Sequence, residues 1–199
     1  MTLSRSSLSL GFAVVAALGA CKKPAPAAQA AATVVNVAAT DFAFAIPDTV
    51  PAGLVTLRLS DAGQEPHQAV VMRLDSGKTI ADLQVLVSNP DMRVPGWLAF
   101  PTGVSVIVPG DSGNATALLT PGHYVMGCFI SGADGKPHIL KGMLRPFEVV
   151  ASGTTPAPEP TADLTITEKD YDFVFSAPLT AGTHTIRVEN GGTQLHEIA

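Results

Sequence analysis

The chain has 199 residues, 46% of them hydrophobic and 15% charged, with a formal net charge of −5. That is enough apolar material for one buried domain of roughly 100–150 residues with further segments beside it. Lys and Arg form no run longer than Lys22-Lys23, so the basic footprint of a nucleic-acid partner is missing and that class is excluded.

Residues 1–20 have the order of a secretory signal: Arg5, an apolar stretch from Leu8 to Ala20, then small residues. The stretch is shorter than the roughly 20 apolar residues that span a bilayer. It ends in Leu18-Gly19-Ala20-Cys21, which resembles the lipobox of bacterial lipoproteins, where cleavage precedes the Cys and its thiol receives a diacylglyceryl group. The resemblance implies lipidation at Cys21 and a protein anchored to the membrane of the bacterial cell envelope, facing the periplasm or the exterior. The alternative is an ordinary signal peptide with Cys21 incidental. Residues 21–33, rich in Pro and Ala, supply the tether an anchored domain needs. With Cys21 acylated, Cys128 is left as a free thiol in a compartment that favours disulfides.

Residues 34–151 hold short β-prone runs broken by Gly, Pro, Asp and Asn: Val34 to Ala39, Leu54 to Ser60, Ala69 to Leu74, Val104 to Val108, Ala115 to Leu119, Tyr124 to Phe129 and Pro146 to Val150. This spacing predicts an antiparallel sandwich, an all-β fold. A single short helix is expected over Thr79 to Val87, covering one end of it, with Trp97 and Phe100 packed over an end as well. Residues 152–163 contain Pro156, Pro158 and Pro160 and read as an extended linker.

Residues 164–199 repeat the start of the first domain at a constant offset of 129, from Val37/Ile166 to Val70/Ala199. Asp41 matches Asp170, Phe44 matches Phe173, Arg58 matches Arg187, Gly63 matches Gly192 and His67 matches His196. A shared β pattern accounts for the apolar matches but not for the Gly, Arg and His ones. The tail therefore reads as an incomplete second copy in a piece of a longer protein. The other reading has its strands pairing with the first sandwich to bury their apolar faces.

His67, Cys128, His138 and Met143 stand in that order, and two imidazoles, a thiolate and a thioether are the side chains of a blue-copper site. Taken singly, Cys128 reads as a small core residue, Met143 as core and His67 as a turn residue. The segment Asp61 to Val71, with Gly63 and Pro66-His67, resembles the strand-end motif of plastocyanins. The segment Pro121-Gly122-His123-Tyr124-Val125-Met126-Gly127-Cys128, continuing to Pro137-His138 and Gly142-Met143, resembles the plastocyanin and azurin ligand loop.

The resemblance covers most of residues 34–150 and implies a cupredoxin-like Greek-key sandwich with one type 1 copper ion. His67 and His138 would be its imidazole ligands, Cys128 its thiolate and Met143 its axial ligand. His196 would be the first ligand of the second copy. One departure is the nine residues between Cys128 and His138, more than small blue-copper proteins use and comparable to copper nitrite reductases. Gly132, Asp134-Gly135 and Pro137 offer turns for folding that loop back. In the family the second His is a surface ligand, so Pro137, Ile139 and Leu140 are expected to form a docking patch for a redox partner in the periplasm or envelope.

Electron transfer fits this set, and no enzyme is expected. A multicopper oxidase needs His beside the Cys, where Gly127 and Phe129 stand. A thiol hydrolase needs an activating base beside it. The competing reading is a metal-free structural or interaction module on the same fold.

Overall fold

The computed structural model describes residues 31–89, 91–153, 157–196 and 198. The signal and lipidation expectations at residues 1–20 and Cys21 lie outside the described residues. Strand β1 (Thr33–Thr40) alternates strictly, burying Val35, Val37 and Ala39, as a strand with one face on a core must. It pairs in parallel with β4 (Gly53–Asp61), from Thr33↔Val55 to Ala39↔Asp61. The short β2 (Ala43–Ala45) lies on its other side, and β7 (Ser112–Leu119) closes the sheet in the order β2-β1-β4-β7.

The facing sheet has the order β3-β9-β8-β5-β6, built from β3 (Thr49–Pro51), β5 (His67–Leu74), β6 (Leu98–Ile107), β8 (Gly122–Gly127) and β9 (Leu144–Val150). The chain changes sheet from β2 to β3, from β3 to β4, from β4 to β5, from β6 to β7 and from β7 to β8. The result is a two-sheet Greek-key β-sandwich with one short helix, the architecture that the sequence resemblance implied. Each of the seven expected strand runs overlaps an observed strand, while β2 and β3 are additions.

Between the sheets lies one apolar cluster that includes Val37, Leu57, Leu59, Val71, Tyr124, Met126 and Phe147. The Tyr124 ring stacks on Phe147 at 5.5 Å, and its hydroxyl donates to the Thr120 carbonyl at 2.8 Å, so the one polar atom of this buried ring is satisfied.

A second cluster occupies the outer face of the five-stranded sheet, where the alternate residues Met72, Leu74 and Val125 point away from the sandwich interior. An apolar outer face needs a cover. Helix α1 (Ile80–Val87) supplies it through the fully buried Leu83, with Trp97 and Phe100 packed on the same cluster. The helix, Trp97 and Phe100 therefore cover a sheet face rather than an end of the sandwich. Thr79 caps the helix in a capping box with Asp82.

The tail forms its own three-stranded sheet, β11 (Asp172–Phe175), β10 (Leu164–Lys169) and β12 (Ile186–Asn190) in the order β11-β10-β12. Its strands pair with one another and not with either sheet of the first unit. The register is that of β2-β1-β4 shifted by 129: Ala39↔Phe44 becomes Glu168↔Phe173, and Val35↔Leu57 becomes Leu164↔Ile186. Burial differs, because Leu59 is 0% exposed and its counterpart Val188 is 50% exposed.

Candidate metal centre

The site forms where two neighbouring strands of one sheet begin and end. Strands β5 and β8 are antiparallel with Val70 opposite Gly127, so the start of β5 at His67 and the residue after β8, Cys128, lie at the same end. A register shift between His67 and Ala69 in the pairing with β6 marks an irregularity at this point. Such bulges commonly re-aim a side chain beside a site.

His138 arrives from the long loop after Cys128. That loop folds onto itself through a bridge between Ser131 and Pro137 and bonds from Gly132 N–H to the Lys136 carbonyl at 3.0 Å and from Gly135 N–H to the Gly132 carbonyl at 2.9 Å. Gly135 supplies the positive φ of 75° that the turn requires. The extra residues are thereby absorbed in a small hairpin, and the chain returns beside Cys128. The 3-10 turn His138–Lys141 is then pinned in place, with His138 N–H on the Ile130 carbonyl at 2.8 Å and Ile139 N–H on the Cys128 carbonyl at 2.7 Å. Met143 follows, donating its N–H to the His138 carbonyl at 3.0 Å and accepting from Cys128 N–H at 3.3 Å.

His67, Cys128, His138 and Met143 are each 0% exposed. Cys128 Sγ lies 4.0 Å from His67 Nδ1 and 3.5 Å from His138 Nδ1, and the two Nδ1 atoms are 3.2 Å apart. A point equidistant from these three atoms is roughly 2.1 Å from each, close to the ~2.0–2.3 Å at which imidazole nitrogen and thiolate sulfur hold a divalent ion. Met143 belongs to the same core cluster as Cys128.

The outer ring nitrogens carry the protons. His67 Nε2 is 2.9 Å from Asp41 Oδ1, and His138 Nε2 is 2.9 Å from Glu65 Oε2. Ionised carboxylates only accept, so each Nε2–H donates outward, which in the neutral imidazole leaves the Nδ1 lone pair facing inward. Two imidazole Nδ1 atoms and a thiol sulfur facing one another with no exposure to solvent form a donor set that a cation completes. Burial raises the Cys128 pKa, an effect that backbone bonds from Gln68 and Ile130 oppose and the Asp61 charge reinforces. A bound metal would reverse this and hold the thiolate.

Among the described residues, His67, Cys128 and His138 are the group of His, Cys, Asp or Glu able to hold a metal ion. His196 stands apart from them, with Nε2 on Asp170 Oδ1 at 2.9 Å. The outer carboxylates Asp41 and Glu65 were not legible as site residues. The signal for Asp41 lay in the repeat, where it matches Asp170, but sequence order alone gives it no role. The expectation of a surface His138 is corrected: Phe42 packs on its ring at 4.7 Å, and Lys141 Nζ sits 4.3 Å from the centre of the Phe42 ring. Of the expected docking patch, Ile139 turns instead into the outer-face cluster, while Pro137 is half-buried and Leu140 is 49% exposed.

No protein-family model matches the sequence. No curated protein matches it significantly. Among solved structures it is similar to three auracyanins. The dithionite-reduced auracyanin of the photosynthetic bacterium Roseiflexus castenholzii is 21% identical with a TM-score of 0.41, over 61% of this chain and 99% of that one. Auracyanin B is 20% identical with a TM-score of 0.43, over 61% and 91%. Auracyanin A, a "blue" copper protein of the green thermophilic photosynthetic bacterium Chloroflexus aurantiacus, is 10% identical with a TM-score of 0.40, over 61% and 100%.

Proposed function

We propose that this chain is a one-electron carrier holding one copper ion of type 1, with His67, Cys128 and His138 as strong ligands and Met143 as the axial ligand. The observation that carries the reading is the convergence of two imidazole Nδ1 atoms and one thiol sulfur within 4.0 Å of one another in a fully buried pocket. Copper, when bound, supplies the one-electron redox step. Soft sulfur ligands suit the reduced ion and imidazoles suit both states. The protein's part is to keep water out, to hold the ring protons on Nε2 and to fix the ligand atoms with the sheet and the pinned 3-10 turn. Little then moves when the charge changes.

Imidazoles lie beside the thiol, His138 Nδ1 at 3.5 Å and His67 Nδ1 at 4.0 Å, but the thiol is fully buried and that burial raises its pKa, the opposite of an accessible, activated nucleophile, and Gly127 and Phe129 flank it in sequence where a multicopper site needs His. Its partner on this reading is a redox protein of the periplasm or envelope. The lipobox-like Leu18 to Cys21 supports lipidation at Cys21 and a tether over residues 21–33 carrying the domain of residues 34–151. No helix among the described residues is long and apolar enough to cross a membrane. After a linker at 152–163, the shared register supports residues 164–199 as the opening strands of a second unit, with His196 in the place of His67.

The test is an optical titration of the full chain with Cu(II). An intense thiolate-to-copper band, bleached reversibly by reductant and absent in Cys128→Ser, is the expected result. Copper that washes off both proteins equally without such a band would leave a metal-free sandwich.

A further inference from the structure

We propose that Asp41 and Glu65 are positioning residues of this centre: each takes the Nε2–H of one imidazole, fixing Nδ1 toward the metal, and their charge favours the oxidised ion. The redox half of this rests on the copper reading above. The positioning half applies to any cation bound by the three atoms.

Three observations carry it. Both imidazoles are anchored the same way, at 2.9 Å, by carboxylates from different turns, Asp41 between β1 and β2 and Glu65 just before β5. Asp41 is itself preorganised, because its carboxylate also accepts the Gln64 N–H at 2.8 Å and the Glu65 N–H at 3.2 Å.

Room for the contact is also reserved. A Cβ on Gly63 would fall 2.4 Å from Asp41 Oδ1 and 2.8 Å from His67 Nε2. The same construction recurs at an offset of 129: His196 Nε2 on Asp170 Oδ1 at 2.9 Å, Thr193 and Gln194 N–H on that carboxylate, and Gly192 beside it. Glu65 is the part that is not repeated. Its counterpart is Gln194, whose side chain donates to the Tyr171 hydroxyl at 3.4 Å. The Asp-Gly-His unit thus travels with the first imidazole, whereas the second carboxylate occurs where a second imidazole, His138, needs an anchor.

Carboxylates behind metal-bound imidazoles orient the ring and raise its basicity, and losing one typically costs about 10–100-fold in metal affinity. Negative charge this near the ion stabilises the higher oxidation state. Lys141, which pairs with Asp134 at 2.9 Å, also lies near Glu65, so its charge offsets part of the effect there and leaves that of Asp41.

The experiment compares the full chain with Asp41→Asn, Glu65→Gln and Glu65→Ala, reading Cu(II) and Zn(II) affinity, the copper reduction potential and the apo-protein melting curve. The amide variants keep an acceptor for Nε2–H and lose the charge. They should favour Cu(I) by about tenfold each, an upward shift of about 59 mV for one electron. Glu65→Ala loses orientation too, and both metals should bind about 10–100-fold more weakly, with Glu65→Gln restoring most of that loss. Unchanged potentials and affinities in a protein that shows the blue band would overturn the positioning role and leave the copper reading standing. Weakened Zn(II) binding without any blue band would do the reverse. A wild-type chain that binds neither metal would overturn both.

Discussion

Replacing Gly63 by Ala adds one methyl at the most crowded point behind the site. The new Cβ would lie 2.4 Å from Asp41 Oδ1, 2.8 Å from His67 Nε2 and 3.2 Å from Asp41 Cγ, whereas real Cβ contacts essentially never fall below 3.0 Å. Neither neighbour yields easily, since His67 is fully buried and two backbone amides hold the Asp41 carboxylate. Overpacking of this kind costs about 1–3 kcal/mol of stability. Parting Asp41 from His67 should also weaken metal binding about 10–100-fold, the equivalent of about 1.4–2.7 kcal/mol. The chain contains its own control, because a Cβ on Gly192 meets Asp170 Oδ1 at 2.4 Å and His196 Nε2 at 2.7 Å, outside the three-ligand cluster. Competitive Cu(II) titration and a denaturant melt of the full chain are run on both variants. Gly63→Ala should lose affinity and Gly192→Ala should keep it. Equal affinities in the two would refute the reasoning.

The two units also separate burial from sequence. Leu59→Ala opens a cavity between the sheets and should cost about 2–5 kcal/mol in a denaturant melt, whereas Val188→Ala, at the equivalent but half-exposed position, should change it by no more than about 0.5 kcal/mol. Bonds from the Thr79 hydroxyl and amide, chiefly, hold the Asp82 pKa below its ordinary 3.8, and the net shift is downward despite a small opposing desolvation. A carboxylate with a lowered folded-state pKa stabilises the fold above its unfolded pKa and loses that contribution as pH falls through the folded value. Asp82→Asn should therefore flatten the acid side of the stability profile below about pH 4. A melt series from pH 2 to 6 in which both proteins fall in parallel would contradict this.

How far the fold can be read ahead depended on element length. Runs such as Val34 to Ala39 and Leu54 to Ser60 are long enough for alternation to mark them, and they became β1 and β4. Strands β2 and β3, of three residues each, are too short for any period to register. The helix was legible over Thr79 to Val87, but its seat was not, because that depends on Met72, Leu74 and Val125 making the outer sheet face apolar. The candidate residues His67, Cys128, His138 and Met143 were named from their types and order, and the fold brings the first three together.

Their surroundings were not legible, since they come from pairings across the chain. Phe42, 96 positions before His138, covers its ring, and the carboxylates behind both imidazoles come from turns that local sequence treats as ordinary loop. The long Cys128-to-His138 spacing was the departure from the pattern that the sequence otherwise resembles. The Ser131–Pro137 bridge and Gly135 show physically how it is absorbed.

The most direct measurement is X-ray absorption at the copper edge on the full chain loaded with one equivalent of Cu(II). The expected result is coordination by one short sulfur with imidazole nitrogens, the sulfur disappearing in Cys128→Ser while nitrogen remains. A shell of nitrogen and oxygen alone, the same in both proteins, would contradict it.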